Sequence, residues 1–88
     1  MTEQQVKEIW DKILEMLADK LQFGFLEQAG SIASTKIRGN ELILTVASEE
    51  AKAFFNSEVN QQRLILLTRP LINLETVTAV MVDEDSDH

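Results

Sequence analysis

The chain has 88 residues, a mass of 10.0 kDa and a formal net charge of −7 at pH 7, which fits one small domain and excludes a multidomain enzyme. Hydrophobic residues make up 44% of the sequence and charged residues 26%, so a folded core is expected rather than a disordered or fibrous chain. The sequence has no cysteine, which excludes disulfides, thiolate zinc sites and cysteine nucleophiles.

The acidic residues are concentrated at the C-terminus. Four of the fifteen lie in residues 83–88, and the remaining eleven stand against eight bases, so residues 1–82 carry −3. We interpret residues 1–82 as a single α+β domain and residues 83–88 as an acidic disordered tail. Because an acidic chain repels nucleic-acid phosphates, a protein is the expected partner rather than a nucleic acid.

Neither a targeting segment nor a membrane segment is predicted. Residues 1–5 lack the basic and apolar regions of a signal peptide. No apolar run approaches the roughly 20 residues that a membrane span requires. The expected location is therefore the cytoplasm, without a membrane partner.

The first helix is predicted to begin after Thr2, because Thr2 and Gln5 have the spacing of a capping box. The apolar residues that follow recur three and four positions apart, as on one face of a helix. They are Val6, Ile9, Trp10, Ile13, Leu14, Leu17 and Leu21.

A second, short helix is predicted over residues 23–29. Phe23, Leu26 and Ala29 recur at helical spacing, although Gly24 lowers the helix propensity by about 1 kcal/mol. Gly30 stands where a glycine in the left-handed conformation commonly ends a helix.

Residues 31–37 and 41–47 are predicted to form two strands of a hairpin, joined by a tight turn at residues 38–40. In the second strand one face of the sheet is predicted to carry Leu42, Leu44 and Val46. The intervening residues, Ile43, Thr45 and Ala47, are predicted to lie on the other face.

The second half of the chain predicts further helix and a last strand. Ser48 is a credible N-cap, followed by two glutamates at the positive end of the helix dipole. Residues 56–57 are a candidate interruption of the helix. Pro70 prevents the helix from continuing past Arg69. Residues 76–82 are rich in β-branched side chains and predict a strand. The order α-α-β-β-α-(α)-β predicts a small single α+β domain with helices packed on a three-stranded sheet.

The sequence offers no recognisable catalytic chemistry. His88 is the terminal residue and the only histidine, and the three glycines form no phosphate-binding loop. The acidic tail lacks the mid-loop glycine and the distal glutamate of a calcium loop. We therefore predict no enzymatic activity, no catalytic residue, no cofactor and no metal.

Three aromatic or apolar positions are candidates for binding a partner. Phe54 and Phe55 are adjacent and cannot share one face of a helix, so one is expected in the core and the other at the surface. The run at residues 64–67 covers more of the helix than a one-sided helix needs, which makes Leu66 a further candidate. Trp10 fits either a core anchor or an interface residue, and its spacing favours the core.

A family resemblance rests on four segments, residues 9–14, 25–29, 39–46 and 48–55. They combine a first helix bearing Trp10, an apolar second helix, a hairpin strand after glycine and a helix that opens after Ser48. In this pattern residues 6–82 resemble the C-terminal domain of bacterial DNA polymerase III gamma/tau subunits.

The resemblance implies a KH-like fold, related to the N-terminal domain of the bacterial replication initiator. It also implies a protein–protein module of the replication machinery, which would tether the clamp loader to a polymerase or replicative helicase subunit. The initiator domain usually carries a second tryptophan where this sequence has Phe23 and Phe25. The alternatives are an initiator-type interaction domain and a KH-like nucleic-acid-binding domain, although the GXXG loop of KH modules is missing.

Overall fold

A computed structural model describes residues 2–83. These residues form a three-stranded sheet and four helices, in an order that confirms the predicted α+β fold. The elements are α1 (Glu3–Asp19), α2 (Phe23–Ala29), β1 (Ile32–Arg38), β2 (Glu41–Val46), α3 (Glu49–Asn56), α4 (Glu58–Thr68) and β3 (Thr76–Met81). No helix within this range is long and apolar enough to cross a membrane. The predicted tail lies outside the described residues from position 84 onward.

The sheet has the order β1-β2-β3, with β2 in the centre. β1 and β2 are antiparallel and form the predicted hairpin, in which Gly39 takes a positive φ of 62° at the turn. β2 and β3 are parallel and are connected through α3 and α4. The ladder between β1 and β2 contains one irregularity, between Ile32 and Ser34.

One buried cluster lies between the sheet and the helices. It combines residues from the predicted apolar faces of α1 and β2 with one of the two adjacent phenylalanines. They include Trp10, Ile13, Leu17, Leu42, Leu44 and Phe55. Trp10 is therefore a core residue, as its spacing favours. The inward face of β2 is fully buried, which fixes the register of the sheet because a shift of one residue would expose it.

The N-terminus of α1 carries the predicted capping box. The Thr2 hydroxyl oxygen accepts a hydrogen bond from the Gln5 amide at 3.2 Å. The Gln5 side-chain oxygen in turn accepts one from the Thr2 amide at 2.8 Å. Two amide groups that the first turn leaves without helical partners are thus satisfied locally.

The predicted position of Leu21 on the buried face of α1 is wrong. The helix ends at Asp19, and Leu21 is the only non-glycine residue among those described with a positive φ, at 57°. The Gln22 amide donates to the Leu17 carbonyl and the Leu21 amide to the Ala18 carbonyl, which is a Schellman motif. The reversal turns the Leu21 side chain away from the core, and it is 69% exposed.

Replacing Leu21 with glycine is expected to raise the free energy of unfolding by up to about 1 kcal/mol. A left-handed conformation costs a residue with a Cβ roughly 1–2 kcal/mol, and the greater freedom of glycine in the unfolded chain offsets part of that gain. Urea denaturation measures the change. A loss of stability would show that burial of the leucine outweighs its backbone strain.

The bounds of α2 match the predicted helix, but the expectation of a left-handed glycine at its end is wrong. The side chain that α2 buries is Phe25, whereas Phe23 is 64% exposed. Gly30 has right-handed backbone angles, φ −62° and ψ −19°. The Gly30 and Ser31 amides bond to carbonyls three residues earlier, at Glu27 and Gln28. This tighter last turn leads directly into β1, so no left-handed residue is needed.

The predicted interruption between α3 and α4 is confirmed. Ser57 has extended backbone angles, φ −60° and ψ 130°, and lies between the two helices. The Ser48 hydroxyl accepts from the Ala51 amide at 3.1 Å, which confirms the N-cap of α3. α4 ends at Thr68, before Pro70, as predicted.

Candidate interaction surface

Large apolar side chains are exposed at several positions of the described chain. Four of them are about two-thirds exposed, which is uncommon for side chains of this size, and a fifth, Leu71, is 39% exposed. The four are Leu21, Phe23, Val59 and Leu66. They gather around two neighbouring depressions of the surface.

The first depression lies between the start of α2 and the helices α3 and α4. It has a volume of about 430 Å³, and Leu21, Phe23 and Phe54 supply its apolar wall. Asn60 and Arg63 of α4 line the opposite side. The Schellman motif at the end of α1 therefore places the Leu21 side chain in this wall.

The second depression, of about 610 Å³, follows the outer face of α4. Val59, Arg63 and Leu66 line it, spaced four and three residues apart, so they form one stripe along the helix. Arg63 also lines the first depression, so the two depressions adjoin at this residue. We call Leu21, Phe23, Phe54, Val59 and Leu66, around Arg63, the apolar patch.

The structure distinguishes the two adjacent phenylalanines. Phe55 is 2% exposed and cannot contact a partner, whereas Phe54 is half-buried at the edge of the core. The rings of Phe54 and Phe55 meet edge to face at 5.3 Å between centroids, and the Phe54 ring packs against Phe25 at 5.1 Å. Of the predicted partner-binding residues, Leu66 is thus exposed and Phe54 partly accessible, and the Phe54 ring packs against two other aromatic rings.

The junction of α3 and α4 is fixed under the apolar patch by hydrogen bonds. The Asn60 side-chain amide donates to the Phe54 carbonyl at 3.0 Å, and the Gln61 amide donates to the Ser57 carbonyl at 2.8 Å. These bonds tie the first turn of α4 to the end of α3. The position of Phe54 relative to Val59 is therefore fixed.

Three members of the apolar patch were not predicted from the sequence. Leu21 and Phe23 fit the apolar spacing of the first two predicted helices, and Val59 continues the apolar spacing of the third predicted helix from Phe55. The break at Ser57 restarts the helical phase, so Val59 moves from the inner to the outer face. The predicted interruption at residues 56–57 was therefore the sequence feature that could have indicated the exposure of Val59.

The side chains of the apolar patch are suited to burial against another molecule and not to binding a metal ion. Within residues 2–83, no group of three or more His, Cys, Asp or Glu side chains is placed to hold a metal ion. The basic side chains are divided between surfaces, since Arg63 lies in the patch while Lys36 and Arg38 line a groove beside β1.

No family model, curated protein or solved structure matches this chain.

Proposed function

We propose that this chain is a non-catalytic protein-interaction module that binds its partner through the apolar patch. The observation that carries the proposal is the grouping of four large side chains, each about two-thirds exposed, around two depressions that adjoin at Arg63. Contiguous exposed apolar area of this kind marks surfaces that become buried against another molecule. A central arginine among aromatic and aliphatic anchors is a common composition for an interface core.

The shape of the apolar patch fits a helical partner segment. Val59 and Leu66 lie seven residues apart on α4, so their side chains rise from one side of the helix two turns apart. Phe54 and Phe23 border the stripe across the first depression. An amphipathic helix laid beside α4 would cover both depressions and pair an acidic side chain with Arg63.

The identity of the partner is supported by the family resemblance and not by the geometry of the patch. A relative of the gamma/tau C-terminal domain would bind a polymerase or replicative helicase subunit. Purified DNA polymerase III and the purified replicative helicase are therefore the first two probes.

The test replaces exposed members of the apolar patch with glutamate. Leu66→Glu and Val59→Glu are each expected to weaken binding to the partner by at least tenfold, because a buried charge replaces a buried apolar contact. Thermal unfolding should change little, since both side chains project into solvent. Leu71→Glu is the matched control, because Leu71 is an exposed leucine outside the patch.

Two results would contradict the proposal. Unchanged partner affinity in both patch variants would remove the patch from the interface. Binding of DNA or RNA by residues 1–82 tighter than about 10⁻⁶ M, steeply weakened by salt and abolished by neutralising Lys36 and Arg38, would favour the KH-like nucleic-acid alternative.

A further inference from the structure

The residues of α4 that line the second depression are arranged symmetrically along the helix. They form three pairs, each centred on the same point between residues 62 and 63. The pairs are Val59 with Leu66, Gln62 with Arg63, and Glu58 with Leu67. Because successive residues lie about 100° apart around a helix, Val59 and Leu66 fall on the midline of this surface. The two members of each other pair lie on opposite sides of the midline. We call these six residues the α4 surface.

This symmetry makes the α4 surface complementary to itself. A two-fold axis that passes through its central point, perpendicular to α4, places a second copy of the helix antiparallel to the first. Val59 of one copy then faces Leu66 of the other, and the symmetry forms this contact twice. Both side chains are about two-thirds exposed, so the pairing buries apolar surface that each copy alone leaves in water.

The charges of the α4 surface match under the same symmetry. The two-fold axis places Glu58 of the second copy on the same side of the midline as Arg63, about 6 Å further along the helix. An arginine side chain is long enough to span this distance. No carboxylate within residues 2–83 forms an ion pair with Arg63, so its guanidinium is available to the second copy. Pairing therefore forms two ion pairs and leaves the joined surfaces without net charge.

We infer that a second copy of this chain binds the α4 surface, forming an antiparallel two-fold dimer. Val59 and Leu66 of both copies fill its centre, and the ion pairs between Glu58 and Arg63 set its register. The inference rests on the proposed function, because it assigns an occupant to part of the apolar patch. A partner protein that covers α4 has to displace the second copy, so self-association limits access to the apolar patch.

Sedimentation equilibrium of the full chain at physiological ionic strength measures this self-association. Under these conditions the net negative charges of the two copies are screened beyond about 8 Å. The chain is expected to dimerise with a dissociation constant below about 1 mM. Leu66→Glu should weaken the dimer at least tenfold, because it places a carboxylate on the apolar midline of each copy. A chain that stays monomeric at about 1 mM would overturn the inference.

Charge reversal tests the antiparallel register. Glu58→Arg and Arg63→Glu each place like charges opposite each other at both sides of the interface, so each variant alone should dimerise about tenfold more weakly. An equimolar mixture of the two variants should recover the original affinity, because each copy then supplies the charges that the other requires. Lys12→Glu changes the net charge as Arg63→Glu does, at an exposed position of α1, and should leave dimerisation unchanged. A mixture no tighter than its separate components would overturn the inference.

Competition with a partner protein distinguishes this inference from the proposed function. Whichever of DNA polymerase III and the replicative helicase binds the chain is expected to dissociate the dimer, because both occupants need α4. Partner binding by a chain that never dimerises, lost in Leu66→Glu, would retain the proposed function and overturn this inference. Dimerisation that follows the charge-reversal pattern, with partner affinity unchanged in Leu66→Glu and Val59→Glu, would support the dimer and contradict the proposed function.

Discussion

Replacing Leu44 with alanine is expected to lower the free energy of unfolding by about 2–5 kcal/mol. The Leu44 side chain is fully buried on the inner face of the central strand, where it lies between Thr35 of β1 and Ala79 of β3. The truncation removes apolar contacts and leaves a cavity that three paired strands cannot easily close. Domains of this kind have a total stability of about 5–15 kcal/mol, so urea denaturation should show a large shift.

Leu66→Ala is the matched control, because it removes the same atoms from a leucine that is 64% exposed. Its effect on stability is expected to lie within about 0.5 kcal/mol. A similarly small effect for Leu44→Ala would contradict the register of β2, because a shift of one residue would place Leu44 on the outer face.

The features predicted correctly from the sequence depend on residues close together in the chain. The capping box of α1 joins Thr2 and Gln5, and the N-cap of α3 joins Ser48 and Ala51. The alternation along β2 likewise needs only its own residues and one buried face. Local hydrogen bonding and periodicity were sufficient for these elements.

The features that were missed depend on the path of the chain after an element ends. The sequence places Leu21 in phase with α1, but the helix stops two residues earlier and the chain reverses in a Schellman motif. The sequence predicts a similar reversal at Gly30, yet α2 leads directly into β1. The packing position of the next element determines whether the chain reverses after α1 or after α2. The residues at the two helix ends do not indicate that position.

The apolar patch was predicted only in part for the same reason. Leu66 was identified because its apolar run exceeds what one helix face can bury. The choice between Phe54 and Phe55 needed the position of α3 over the sheet, which places Phe55 in the core. The place of Leu21 and Phe23 in the apolar patch could be predicted only from the packing of α2 beside α3, where the Phe25 and Phe54 rings meet.

The hydrogen bonds from side chains to distant strand residues could not be predicted from the sequence. The sequence indicates Asn56 only as a candidate helix interruption, whereas in the structure its side chain forms hydrogen bonds with Ala79, 23 residues away. Gln61 reaches Val77 across 16 residues. Both contacts join the αα connection to the strand that follows it, so they stabilise the parallel β2–β3 pairing that this connection makes possible.

Replacing Asn56 and Gln61 together with alanine is therefore expected to cost about 2–4 kcal/mol of unfolding free energy, since three hydrogen bonds to β3 are lost at about 0.5–1.5 kcal/mol each. The open edge should also make the variant self-associate as concentration rises, because the backbone groups of β3 become available for pairing. Urea denaturation and sedimentation measure the two effects. The double variant of the exposed residues Gln4 and Asn73 removes the same side-chain types and should change neither. Stability equal to that of the control would show that water replaces these bonds at no cost.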